Sequence, residues 1–177
     1  MITITTPLLS ETVLSLQAGT QVLLSGTVYT GRDAAHKRFM EAMERSQELP
    51  VDLHNQVIYY TGPAPAPKGK VIGSAGPTTS SRMDAFTPAL LAKTGLRGMI
   101  GKGNRSKEVI EAMKRLGVVY FAATGGAGAL LSKCITASEV VCYEDLGTEA
   151  VHKLEFKDFP LIVAIDSMGN NLYERIS

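Results

Sequence analysis

The chain has 177 residues, of which 45% are hydrophobic and 20% are charged, and its net charge is +1. These values are typical of a globular protein and argue against a disordered or fibrous chain. The small net charge and the absence of tryptophan argue against binding to nucleic acid or to an anionic membrane surface. Because a chain of this length can bury one sizeable core, we expect a single domain, residues 1–177.

The start of the chain carries no targeting signal that we recognise. The segment 1–7 has no basic stretch followed by a long apolar run, so it does not resemble a signal peptide. No apolar stretch reaches the roughly 18 residues that a membrane-spanning helix needs. The sequence therefore predicts a cytoplasmic protein with no membrane partner.

The two cysteines, Cys134 and Cys142, are too few to form a metal centre by themselves. Structural zinc sites and iron–sulfur clusters use four ligands, and two thiolates cannot complete such a set. We expect both residues to be buried free thiols. Any metal that the chemistry needs is then held outside this chain.

The first part of the chain alternates between predicted strands and helices. A helix capped by Asp33 follows the first strand, and a second helix ends at Gly95. The proline-rich segment 62–69 is predicted to be a loop. The predicted strands are 22–31, 57–60 and 71–73, and the second helix is 83–93.

The second part of the chain begins in the same way and ends differently. A strand near 99–100 precedes a helix that stops at Gly117, and a strand at 118–121 precedes a tight turn at 125–128 and a short helix to Cys134. Three late strands follow, at 140–143, 151–156 and 161–165. The alternation predicts an α/β fold with parallel strands. The late strands lack helices of normal length between them, so they should be antiparallel or form a second sheet.

Three strand-to-loop junctions each carry a cation, and one also carries hydroxyl groups. They lie at 30–33, 76–82 and 101–104. Because the carboxyl ends of parallel strands meet at one edge of a sheet, Arg32, Arg82 and Lys102 can gather there.

Two arginines and a lysine suit a substrate with two carboxylates. The hydroxyl groups before Met83 would lie at a helix N-terminus, which favours anions. The alternatives are that Arg32 and Arg82 are solvated surface charges and that Thr78 is part of a helix cap.

His36 follows Asp33 by one helical turn. A histidine near its ordinary pKa can exchange protons at neutral pH, and a nearby carboxylate can orient it. This makes His36 a candidate catalytic residue. The alternative is a histidine on the surface of a helix.

Taken together, the loop motifs resemble a known family. Gly-Arg-Asp-Ala-Ala-His at 31–36, Gly-Pro-Thr-Thr-Ser-Ser-Arg-Met at 76–83 and Ile-Gly-Lys-Gly at 100–103 resemble the C-terminal region of class I, iron–sulfur fumarases. The motif Asp-Ser-Met-Gly-Asn-Asn-Leu at 166–172 is also similar to that family. The resemblance covers nearly the whole chain. The family includes L-tartrate dehydratases, whose β subunits carry similar motifs.

The resemblance implies a fold, a cofactor and a partner. The fold would be a swivelling β/β/α domain of three layers with a mixed, mostly parallel central sheet. A separate α subunit would hold a [4Fe–4S] cluster through three cysteines, with the fourth iron open to substrate, and this chain would bind no metal. The assembly would be a hetero-oligomer, or a homodimer when this chain is isolated.

The resemblance also implies roles for individual residues. Arg32, Arg82 and Lys102 would bind substrate oxygens, and Thr78 would lie beside the carbon that loses its proton. An ordinary hydroxyl has too high a pKa to act as a base unaided, so Thr78 is either an activated base or a positioning residue and proton relay.

The implied function is the β subunit of a fumarate hydratase, a hydro-lyase of the tricarboxylic acid cycle that acts on fumarate and L-malate. Three alternatives remain open: the β subunit of an L-tartrate dehydratase, a non-catalytic dicarboxylate-binding module, and a purely structural subunit.

Overall fold

The computed structural model describes residues 1–123 and 128–176, and this part of the chain contains seven strands and six α-helices. The strands are β1 (Ile2–Thr5), β2 (Gln21–Thr30), β3 (Val57–Tyr59), β4 (Gly98–Gly101), β5 (Val119–Ala123), β6 (Ile135–Cys142) and β7 (Val151–Ile165). The helices are α1 (Ser10–Ser15), α2 (Asp33–Glu44), α3 (Thr87–Thr94), α4 (Lys107–Leu116), α5 (Gly128–Leu131) and α6 (Leu172–Ile176).

The described strands form one mixed sheet of seven strands in the order β1-β2-β3-β4-β5-β7-β6. Each neighbouring pair from β1 to β5 is parallel, whereas β7 is antiparallel to β5 and to β6. The strand β7 also pairs with β2, so β2, β3, β4, β5 and β7 close into a ring. The α/β prediction and the antiparallel late strands are confirmed, and the late strands belong to the same sheet.

Two hydrophobic cores lie on opposite faces of this sheet. Successive side chains of a strand point to opposite faces, and in β5 Val119 and Phe121 join one core while Tyr120 joins the other. The first core also takes buried residues from β2 and β7, so the ring encloses it. The second core takes residues from helices α2, α3 and α4, which cover the other face.

The predicted strand at 71–73 is wrong, because this segment belongs to a long loop between β3 and α3. Its backbone pairs with the proline-rich segment: the Gly73 N–H donates to the Ala64 carbonyl at 3.2 Å, and the Ala64 N–H donates to the Ser74 carbonyl at 2.9 Å. These local bonds occupy groups that a sheet would otherwise use.

The predicted helix at 83–93 begins later than expected. A short 3₁₀ turn, Ser80–Met83, is followed by a bend, and α3 starts at Thr87. Pro88 lies in the first turn of α3, where its missing N–H costs nothing. A continuous helix would have needed that N–H to reach the carbonyl of Asp84.

The last two predicted strands are one strand of 15 residues, β7. The prediction left residues 157–160 outside a strand, but β2 pairs with β7 on both sides of Pro160. The irregularity is absorbed by a bulge, since the register shifts between Leu24 and Gly26 and Asp158 adopts a positive φ of 48°.

The predicted helix stops at Gly95 and Gly117 are confirmed by the ends of α3 and α4. The turn predicted at 125–128 falls mostly outside the described residues. No helix in the described part of the chain has the length and apolar character needed to cross a bilayer.

Candidate functional site

The carboxyl ends of three parallel strands lie side by side at one edge of the sheet. Just after β2, the Gly31 N–H donates to the Tyr59 carbonyl at 3.0 Å, and after β3 the Tyr60 N–H donates to the Ile100 carbonyl in β4 at 2.9 Å. The loops that carry Arg32 and Lys102 therefore leave the sheet at the same edge, as parallel pairing requires.

A carboxylate joins the two predicted arginines. Arg82 Nε donates to Asp33 Oδ2 at 3.0 Å, and Arg32 Nε lies 3.9 Å from Asp33 Oδ1. Arg32 Nε also lies 4.0 Å from Glu149 Oε1 and has no hydrogen-bond partner among the described residues. The side chains of Arg82 and Arg32 are 52% and 27% exposed, although Arg32 Nε itself is buried.

The prediction that Asp33 caps α2 is wrong. Asp33 is the first residue of the helix, Arg32 occupies the cap position, and no side-chain cap bond is formed at this helix end. The Asp33 carboxylate instead contacts the arginines. The Arg32 side chain packs against Gly62, where an added Cβ would lie 3.2 Å from Arg32 Cδ. Gly62 thus leaves room for the arginine stem.

The segment that carries Thr78 contacts the loop that carries Lys102. The Thr78 N–H donates to the Tyr60 carbonyl at 2.7 Å, which fixes this segment to the end of β3. Thr79 forms an isolated parallel bridge with Lys102, and the Ser80 N–H donates to the Lys102 carbonyl at 2.9 Å. Thr78 is half-buried and Lys102 is exposed.

The expected helix N-terminus at these hydroxyl groups is absent from the described structure. The turn Ser80–Met83 is a short 3₁₀ turn, and Thr79, at its cap position, makes no side-chain cap bond. A turn of this length has little dipole, so anion binding here depends on the side chains and on individual N–H groups.

The segment from Thr78 to Met83 is the centre of the site. Its Arg82 contacts the start of α2, and its Ser80 contacts the loop after β4. The predicted residues Arg32, Thr78, Arg82 and Lys102 therefore lie on three adjoining segments. Their roles toward a ligand stay predictions.

His36 is buried in the second core and does not line the open site. Its side chain is 1% exposed, and its ring packs against Phe39, Tyr60 and Phe86. Burial lowers the pKa of His36 to about 4, despite the opposing effect of its backbone hydrogen bond. The histidine is therefore neutral at pH 7, which does not suit proton exchange near neutral pH.

The hydrogen bonds of His36 indicate that it stabilises the backbone of Arg32. Nδ1 lies 2.8 Å from the Arg32 carbonyl oxygen, so Nδ1 carries the proton and donates it. Nε2 has no hydrogen-bond partner among the described residues. The expectation that Asp33 orients the ring is thus wrong. His36 instead holds the backbone at the start of α2.

Arg105, to which the sequence analysis gave no role, supports the site from within. Its side chain is fully buried, and Nε donates to Asp84 Oδ1 at 2.7 Å. The guanidinium carbon lies 5.2 Å and 4.9 Å from the ring centroids of Tyr60 and Tyr120. Burial lowers the pKa of Arg105, but Tyr60 and Asp84 raise it above its ordinary value. A buried arginine and an exposed one look alike in sequence, and its partners are far away along the chain.

The late motif at 166–172 is structural in this protein. Asp166 is 2% exposed, and its carboxylate accepts hydrogen bonds from its own turn and from the Ala18 N–H. Next to it, Asn171 Nδ2 donates to Asn104 Oδ1 at 2.9 Å. The motif therefore ties the end of the chain to the loop that follows Lys102.

The part of the chain that the structure describes does not offer the ligands of an iron–sulfur cluster. Among the described residues, no group of three or more His, Cys, Asp or Glu side chains could hold a metal ion. Both cysteines are partly buried free thiols. Burial raises the pKa of Cys142 to about 11, which disfavours the thiolate form that binds metals.

The chain is similar to known proteins of one family. The model of the Fumarase C-terminus family matches residues 1–176. The aerobic class I fumarate hydratase of Escherichia coli is 41% identical over 89% of this chain, and the match spans 29% of that protein. Fumarate hydratase 2 of Leishmania major is 40% identical over 89% of this chain and 28% of its own length.

A relative of similar length to this chain is also found. A Methanocaldococcus jannaschii protein, provisionally named L(+)-tartrate dehydratase subunit beta, is 39% identical over 96% of this chain and 90% of its own length. The chain thus spans about a third or less of the fumarate hydratases it matches and nearly all of this subunit.

Proposed function

Because the chain belongs to the Fumarase C-terminus family, we propose that it is the carboxylate-binding β subunit of a class I fumarate hydratase. This enzyme is a hydro-lyase that interconverts fumarate and L-malate. The observation that carries the proposal is the grouping of Arg32, Arg82, Lys102 and Thr78 on three adjoining segments at one edge of the sheet.

The arginines and the lysine bind the carboxylates of the substrate. Arg82 uses Nε to donate to Asp33, which orients the guanidinium and leaves its terminal N–H groups for a carboxylate. Arg32 lies on the other side of the same Asp33 carboxylate. Lys102 contributes a compact charge from the neighbouring loop. Together these cations suit an anion with two separated carboxylates.

The same cations help the chemical step. Loss of a proton from the carbon beside a carboxylate builds negative charge on that carboxylate, so fixed cations stabilise the transition state more than the ground state. Thr78 is the residue proposed to lie beside this carbon. Its backbone is fixed by the hydrogen bond to Tyr60, which supports a role as a positioning residue and proton relay.

A partner subunit completes the enzyme. Two cysteines cannot ligate a [4Fe–4S] cluster, so the proposal places the cluster on a separate α subunit in a cytoplasmic hetero-oligomer. The chemistry at the departing hydroxyl group is assigned to that subunit. The swivelling three-layer arrangement is also part of the proposal, and the closed ring with helices over one face supports it.

A second candidate function is the β subunit of an L-tartrate dehydratase. It is favoured by the relative from Methanocaldococcus jannaschii, which matches this chain over most of its length. Tartrate carries two carboxylates as malate does, so the same cations suit it. The difference lies in the additional hydroxyl group.

An anaerobic fumarate-hydration assay tests the proposal. The decrease in fumarate absorbance measures the reaction. The chain is assayed alone, with its candidate cluster-bearing subunit, and with that subunit after exposure to air. Activity only in the anaerobic mixture supports the split hydratase. Activity with tartrate and none with fumarate selects the second candidate. Dicarboxylate binding with no turnover in any mixture would indicate a binding module.

A further inference from the structure

Tyr120 connects the two segments that carry Thr78 and Lys102. It lies in β5 and is fully buried. Its hydroxyl donates to the Gly103 carbonyl at 2.7 Å and lies 2.7 Å from Ser80 Oγ. Because a phenol has one proton, Ser80 must be the donor in the second bond. The hydrogen bonds thus run in one direction, from Ser80 through Tyr120 to Gly103.

The peptide that joins Lys102 to Gly103 is fixed by two further hydrogen bonds. The Ser80 N–H donates to the Lys102 carbonyl at 2.9 Å, and the Gly103 N–H donates to Tyr173 Oη at 3.0 Å. Gly103 has a φ of +87°, a left-handed conformation that favours glycine. Both polar groups of the Lys102–Gly103 peptide therefore have a defined partner.

Close packing reinforces the connection. A Cβ added to Gly101 would overlap Ser80 Oγ, so the end of β4 lies directly against the Thr78 segment. The Arg105 guanidinium carbon lies 4.9 Å from the Tyr120 ring centroid and fixes the ring from the other side. Burial raises the pKa of Tyr120, although Ser80 and Arg105 oppose this effect. Its hydroxyl therefore keeps its proton at neutral pH.

We propose that Tyr120 is a positioning residue that holds Lys102 at a fixed distance from Thr78. This assignment rests on the proposed function, in which Lys102 binds a carboxylate and Thr78 lies beside the reacting carbon. The distance between the two segments then matters for catalysis. Tyr120 touches no substrate. The pairing of Asp33 with Arg82 on the far side of the Thr78 segment does not depend on it.

Amide hydrogen exchange in the ligand-free chain tests the connection. Tyr120→Phe removes the hydroxyl and keeps the ring over Arg105. We expect the Ser80 and Gly103 amides to exchange about tenfold faster, as the loss of a buried hydrogen bond implies. The Gly31 amide, which donates to the Tyr59 carbonyl, serves as an internal reference and should not change.

Tyr59→Phe is the matched control. Tyr59 is equally buried on strand β3, which β4 separates from β5, and its hydroxyl donates to the Ala75 carbonyl. This variant should leave the Ser80 and Gly103 amides unchanged. Equal acceleration in both variants, or none in Tyr120→Phe, would overturn the proposal, because the effect would then be general or absent.

The affinity for L-malate, measured by calorimetry, gives a second readout. Tyr120→Phe should weaken binding about tenfold, whereas Tyr59→Phe should not. Unchanged malate affinity in Tyr120→Phe would contradict the positioning role. If the unmodified chain binds neither malate nor fumarate and its mixture with the partner subunit turns over neither, the proposed function fails, and the exchange rates still decide whether Tyr120 connects the two segments.

Ser80→Ala tests the connection from its other end and protects against a Tyr120 variant that does not fold. It removes the donor to Tyr120 and keeps the Ser80 backbone bond to Lys102. We expect faster exchange at Gly103, and we expect the double variant with Tyr120→Phe to be no worse than Tyr120→Phe alone. Fully additive effects would mean that the two hydroxyl groups act independently.

Discussion

Two arginine–aspartate pairs in this protein have the same chemistry and opposite surroundings. Arg105 and Asp84 are 2.7 Å apart, with side chains 0% and 14% exposed. Arg82 and Asp33 are 3.0 Å apart, with side chains 52% and 37% exposed. The first pair is part of the core, whereas the second lies where a ligand can compete for it. Burial, and not residue type, therefore distinguishes an arginine that stabilises the core from an arginine that a ligand can contact.

The other partners of each arginine strengthen this contrast. Arg105 also donates to Tyr60 Oη at 3.2 Å and to Thr87 Oγ1 at 3.1 Å, so its donors are largely used. In the described residues, Arg82 makes its side-chain hydrogen bond through Nε to Asp33. Its terminal N–H groups therefore remain available to a carboxylate.

The largest effect should come from breaking the buried pair. Arg105→Met leaves the Asp84 carboxylate without its buried partner, and we expect the free energy of unfolding to fall by about 3–5 kcal/mol. Chemical denaturation measures the change. The double variant Arg105→Met with Asp84→Leu should recover a good part of the loss. A loss below about 1 kcal/mol would remove the distinction between the two pairs.

The next effect concerns the exposed cations, where activity should change and stability should not. We expect Arg32→Ala to lower kcat/KM of the assembled enzyme, because a charge-assisted contact to the substrate is lost. The corresponding loss of transition-state stabilisation should be about 2–4 kcal/mol. Steady-state kinetics with fumarate measures this. Arg38→Ala, in helix α2 and paired with Asp145, is the control and should keep normal activity. Normal activity in Arg32→Ala would make Arg32 a surface charge.

A pH titration should show the cost of burying His36. Its pKa is about 6.5 in the unfolded chain and about 4 in the folded protein. As the pH falls from 6.5 to 4, the unfolded chain takes up a proton that the folded protein does not. The free energy of unfolding should therefore decrease by up to about 3 kcal/mol over this window.

The variant His36→Phe should lose this pH dependence, and unfolding measured across the window would show it as a difference from the unmodified chain. His54→Gln replaces an exposed histidine and is the control. If both variants follow the unmodified chain, His36 is accessible to protons in the folded state.

The smallest effect should come from the exposed pair itself. Asp33→Asn removes the charge that faces Arg82, but surface ion pairs contribute little, so the free energy of unfolding should change by less than about 1 kcal/mol. The same denaturation experiment used for Arg105→Met gives a direct comparison. A loss of several kcal/mol would place Asp33 among the structural residues.

Local signals allowed much of the site to be predicted from sequence. Arg32 and Lys102 each follow a strand and lie next to glycine, and parallel pairing brings such loops to one edge. Thr78 and Arg82 follow no strand at 71–73, and they reach this edge because the Thr78 N–H donates to the Tyr60 carbonyl. The helix stop at Gly117 depends on backbone conformation at one position and was predicted correctly.

Features that depend on distant partners could not be predicted from sequence. The interpretation of His36 failed because nothing local indicates that Phe86 and Tyr60 cover its ring. Arg105 was missed for the same reason, since Asp84 approaches it from a different loop. The strand predicted at 71–73 had suitable residues, but its hydrogen bonds went to the proline-rich loop.

The pairing of β2 with β7 has a consequence for how the chain reaches its native state. β2 begins at Gln21 and its partner β7 ends at Ile165, so nearly the whole chain must leave the ribosome before the ring can close. Contacts between such distant segments slow folding, because a long loop loses entropy before it gains contacts. Until then β2 presents an unpaired edge that can associate with other chains. The yield of folded protein should therefore depend on how long the edge of β2 stays unpaired before β7 is available.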